Sequence, residues 1–145
     1  MKPKLQYTYK DWRDTKGLHR DVLACVSELE FIRDELRFLK DLVVENILGA
    51  FYGKPFELSE QIGTDLNALD NRTDRLLTEF KGHASNLQVL TDDNDVPNEL
   101  FDYKKKHYQL MDSTNRLQND IKQTKQTIFN MMIQIMRKRK QEKSL

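Results

Sequence analysis

The chain has 145 residues and carries 24 Lys and Arg against 23 Asp and Glu, a net charge of +1. That balance gives no general drive toward nucleic acid or an anionic membrane, so neither partner is expected. A single cysteine, Cys25, excludes an internal disulfide and suits a reducing, cytoplasmic setting. No apolar N-terminal stretch reads as a signal peptide, and no apolar run is long enough to predict a membrane span. Five glycines and three prolines leave long uninterrupted stretches, which predicts one domain built from a few long elements.

Residues 1–17 read as an N-terminal arm, with Tyr7, Tyr9 and Trp12 spread among charged residues and Gly17 at its end. The first helix is predicted over 18–51. Its apolar residues Leu18, Val22, Cys25, Leu29, Ile32, Leu36, Leu39 and Val43 recur in alternating steps of four and three, until Asn46 interrupts the series before Ala50. That spacing is a heptad seam along one side of a helix. Gly53 and Pro55 predict a short turn into a second helix over 55–90. Its seam is Ile62, Leu66, Leu69, Thr73, Leu76, Phe80, His83, Leu87 and Leu90, and Gly63 and Gly82 weaken it locally.

Thr91 to Asp95 forms a second turn, with Asp95 a candidate cap before Pro97. The turn lacks the central glycine and distal glutamate of a calcium loop. The third helix is predicted over 96–140, with a seam from Leu100, Tyr103, His107, Leu110 and Thr114 through Leu117, Ile121, Thr124, Ile128 and Met131 to Ile135. Residues 141–145 read as a frayed tail. Three long seams joined by short turns predict an all-α, antiparallel up-down-up three-helix bundle with coiled-coil-like packing. Helices of this length, about 50 Å, predict an elongated body that dimerisation would complete to a larger bundle. The pattern resembles spectrin-like three-helix repeats, with Trp12 lying before the first seam rather than on it.

Folding the short turns back on themselves places His83 level with Cys25 and within a turn of His107. Thiolate and imidazole are ligands of tetrahedral zinc, so Cys25, His83 and His107 are candidate metal residues. The same folding sets Thr73 level with Thr114, a candidate structural hydrogen bond. A di-iron reading fails, because it needs paired Glu-x-x-His motifs and the chain offers only Glu79 four residues before His83. No phosphate loop, zinc-protease motif or nucleophile elbow occurs, so no catalytic residue and no cofactor are assigned and the chain is read as a non-enzyme.

The seams leave large apolar residues over. Phe31, Phe38 and Leu42 form a second stripe on the first helix. Phe101, Tyr108 and Met111, then Phe129, Met132 and Met136, flank the third seam. Surplus apolar surface marks an interface. Phe31, Phe38, Leu42, Met132 and Met136 are therefore the candidate contacts of a homo-oligomer, with a dimer favoured, or of a partner protein helix. Arg137, Lys138, Arg139 and Lys140 suit the negative end of a helix dipole; their alternative role is contact with an anionic surface or nucleic acid. The sequence thus predicts a helical interaction or scaffold protein.

Overall fold

The computed structural model describes residues 14–48, 54–92 and 97–144. Tyr7, Tyr9, Trp12, Ala50, the Gly53 turn and the Asp95 cap lie outside them. Three helices pack against one another: α1 (Thr15–Leu42), α2 (Lys54–Asp92) and α3 (Pro97–Ser144). Among the described residues there is no strand. No helix there is long and apolar enough to cross a membrane. The all-α three-helix bundle predicted from the seams is the observed fold.

The helix boundaries differ from expectation in several places; α2, for one, continues through Thr91 and Asp92, which were expected in the turn. Helix α1 starts before Gly17. Asp14 accepts the Gly17 amide through its carboxylate at 2.8 Å, and its carbonyl accepts the Leu18 amide at 3.0 Å. Asp14 is therefore the cap, and Gly17 sits in the first turn rather than ending an arm. At the other end, α1 passes into a π-helical turn over Val43–Leu48. The Asn46 side chain donates to the Leu42 carbonyl at 3.1 Å there. This is where the heptad steps break, and a wider turn absorbs the irregularity. Finally, α3 continues to Ser144, so residues 141–144 are helical rather than a frayed tail.

Contacts divide the chain into two units, Met1–Phe31 with Asp74–Arg116, and Ile32–Thr73 with Leu117–Leu145. In the first, Leu18, Leu87 and Tyr103 form one cluster and Asp21, His83 and His107 another. Numbers rise along α1 and α3 and fall along α2 between the two clusters, so α2 runs antiparallel to the other helices. Val22, Leu29, Leu76, Leu77, Phe80, Tyr108 and Leu110 are also buried in this unit. In the second unit, Ile32, Leu36, Leu39, Ile62, Leu66, Leu117, Ile121 and Ile128 are buried. Ion pairs Lys40–Asp70 at 2.8 Å, Arg72–Asp120 at 2.7 Å and Glu35–Lys125 at 2.9 Å link its helices at the margin. These pairs are partly solvated and contribute about 1 kcal/mol or less each.

The seams account for most of the core, with exceptions at the margins. Leu100, placed on the α3 seam, is exposed, while Leu77 and Tyr108, placed off the seams, are buried. Thr73 and Thr114 are buried but do not join across helices. Each hydroxyl donates to a carbonyl of its own helix, Thr73 to Leu69 at 2.8 Å and Thr114 to Leu110 at 2.9 Å. Threonine on a helix satisfies its hydroxyl four residues back, which removes the need for a cross-helix partner.

Candidate functional site

The first unit buries a polar chain that crosses all three helices. Helix α1 contributes Asp21, α2 contributes His83, and α3 contributes Tyr103 and His107, one turn apart. His83 and His107 occupy seam positions, so the heptad spacing itself carries them inside. His107 Nε2 lies 3.0 Å from Asp21 Oδ2, and His107 Nδ1 lies 3.0 Å from His83 Nε2. His107 is fully buried and Asp21 is nearly so.

Each ring nitrogen along this line donates or accepts according to the tautomer of its imidazole. The rings are stacked as well as bonded. Tyr103 lies face to face on His83, with centroids 3.9 Å apart and planes 6° apart. Phe80 meets His83 edge-on at 6.5 Å, and Tyr108 meets His107 edge-on at 5.3 Å.

Two groups are held away from their charged forms. Burial, with His107 and Lys106 adding to it, pushes His83 down to about 4. A positive charge on this ring would lose water and meet other cationic or polarised groups. Burial also pushes the Tyr103 phenol well above its ordinary value. The Tyr103 hydroxyl is buried without a hydrogen-bond partner among the described residues. A cleft of about 350 Å³ opens beside these rings, lined by His83, Asn86, Val89, Leu90, Glu99, Asp102, Tyr103 and Lys106.

The predicted metal set is thus only partly brought together. His83 and His107 do meet, as the layer argument required. Their facing nitrogens are occupied with each other, and the third polar partner is Asp21 rather than Cys25. Cys25 is half-buried one turn further along α1. Among the described residues no group of three His, Cys, Asp or Glu side chains is disposed to hold a metal ion.

The candidate interface residues divide by exposure. Phe31, Phe38 and Met136 are 67%, 59% and 63% exposed, whereas Leu42 and Met132 are half-buried. Leu23, Val44, Phe101, Phe129 and Ile133 are exposed too. Arg137, Lys138, Arg139 and Lys140 are all exposed, one turn before the end of α3.

Asp21 and Tyr103 were not singled out by sequence. Tyr103 was visible only as a seam residue. Asp21 lies beside the seam residue Val22, one turn before Cys25. Comparison with known families, curated proteins and solved structures finds no match for the chain.

Proposed function

We propose that the chain is a non-catalytic helical interaction protein that self-associates through the α1 face carrying Phe31 and Phe38. The observation that carries this reading is the exposure of two phenylalanines seven residues apart on one helix, while their neighbours Ile32 and Leu39 are buried. A seven-residue step returns a side chain to the same side of a helix, so both rings face one partner. Transfer of each large side chain out of water is worth about 1.5–3 kcal/mol. A two-fold pairing uses every such residue twice.

A second copy also supplies matching charge. Asp34 and Asp41 are exposed on either side of Phe38 along α1. The end of α3 exposes Ile133 and Met136 next to Arg137–Lys140. In a two-fold dimer each copy offers both surfaces, which gives the basic segment an acidic partner without invoking nucleic acid or lipid.

The buried polar chain supports a non-catalytic role. A general base works best with a pKa near the working pH. His83, pushed down to about 4, is a weak base at neutral pH. Its role in this reading is to fix the register of the three helices, as buried polar residues do in coiled coils.

The test is Phe31→Glu with Phe38→Glu in the full chain, read by helical content and by mass in solution. The expected result is unchanged helicity and loss of the dimer. A wild-type chain that is monomeric at high concentration removes the proposal.

A further inference from the structure

In the second unit the apolar residues left over on α1 and those left over on α3 form one surface. The Glu35 carboxylate and the Lys125 ammonium meet at 2.9 Å, so these two positions face each other across the groove between the helices. A seven-residue step returns a side chain to the same side of a helix. Since α1 and α3 run parallel, Leu42 and Met132 repeat that pair one heptad further along. Both are half-buried, as residues on the floor of a groove are.

Steps of three and four residues also return to nearly the same side. Phe38 lies four residues before Leu42 and is 59% exposed. Phe129 lies three residues before Met132 and is 43% exposed; Met136 lies four residues after it and is 63% exposed. Phe38 therefore walls the groove on α1, and Phe129 and Met136 wall it on α3. The result is a single apolar trough with Leu42 and Met132 at its floor.

Charge is distributed unevenly along this trough. Residues 121–141 contain no Asp or Glu, and their bases crowd the far end as Arg137, Lys138, Arg139 and Lys140. Toward the other end, level with residue 124 of α3, α1 exposes Asp34. A second copy laid in the trough by a two-fold axis runs either parallel or antiparallel to the first. Parallel copies set the two basic ends side by side, and like charges so placed oppose association. Antiparallel copies set the basic end of each beside Asp34 of the other.

The floor fixes the register. With the axis at Leu42 and Met132, the half-buried residues of both copies meet at the centre. Phe38 is level with residue 128, four residues to one side of the axis, so it meets Met136 of the second copy, four residues to the other side. Asp34 meets Lys140 by the same symmetry. We propose that the dimer is antiparallel, with its two-fold axis crossing the α1–α3 trough at Leu42 and Met132. This rests on the self-association proposed above and names the surface and register that achieve it.

The test uses the full chain with Cys25→Ser and one nitroxide label at Asn119→Cys, Asn130→Cys or Gln141→Cys, three exposed positions on α3. Pulsed dipolar spectroscopy reads the distance between the labels of the two copies. An axis at residue 132 offsets equivalent positions along the helix by about 6 Å at 130, about 27 Å at 141 and about 39 Å at 119. The expected result is the shortest distance at 130, a longer one at 141 and the longest at 119. Equal distances at all three positions mean parallel copies and overturn the proposal, while the dimer itself stands. A shortest distance at 119 or 141 overturns it as well, because the axis then lies elsewhere. A chain that sediments as a monomer overturns both this proposal and the self-association beneath it.

Discussion

His83 and His107 meet nitrogen to nitrogen at 3.0 Å, and His107 passes its other nitrogen to Asp21 at the same distance. The burial of His83 in this line makes folding sensitive to pH. His83 titrates near 6.5 when unfolded and at about 4 when folded. Between those values the unfolded chain binds the extra proton, so stability falls as pH drops from about 6.5 to about 4 and is fully present above that window. The loss attributable to His83 is on the order of 3 kcal/mol. His83→Gln keeps a hydrogen-bonding amide beside His107 but does not titrate. Its denaturant midpoint should fall less than wild type's over that window; parallel curves would contradict the assignment.

Tyr103→Phe should not weaken the fold. The ring stacks on His83, but the hydroxyl is buried without a partner among the described residues. Phenylalanine keeps the stack and removes an unsatisfied polar atom, a change worth about 1 kcal/mol in favour of folding. Urea unfolding measures it. A loss of about 1 kcal/mol or more would mean that the hydroxyl has a partner in solution, with the adjoining cleft as its location.

Gly63→Ala and Gly82→Ala should each stabilise the chain by about 0.5–1 kcal/mol. Both glycines lie inside α2, and a methyl group at either position meets nothing within 4 Å. Alanine therefore gains helix propensity at no steric cost. Thermal melting of the two single variants checks this, and a lower melting temperature in either would contradict the packing around it.

The three seams were legible because a helix packed on two others exposes its period directly. Leu29, Phe80 and Leu117 are fully buried where the alternating steps place them. Aligning short turns also brought His83 to His107. What stayed hidden depended on partners off the seam. Asp14 was passed over because Gly17 read as a breaker, although a cap four residues before Leu18 satisfies the first turn. Cys25 drew attention that belonged to Asp21, since heptad logic ranks seam positions and Asp21 lies beside the seam. Tyr108 is buried although the heptad steps set it off the seam. The self-bonded Thr73 and Thr114 show the same limit: their partner is a backbone carbonyl, which a side-chain alignment does not count.

The most direct measurement of the central claim is sedimentation equilibrium of the full chain and of its Phe31→Glu/Phe38→Glu variant at about 1–100 µM, a range spanning dissociation free energies of about 5.5–8 kcal/mol. The account predicts twice the 17.2 kDa chain mass for the wild type at the upper end and the single-chain mass for the variant throughout. A wild type that stays at the single-chain mass, or a variant that associates as strongly as the wild type, would contradict it.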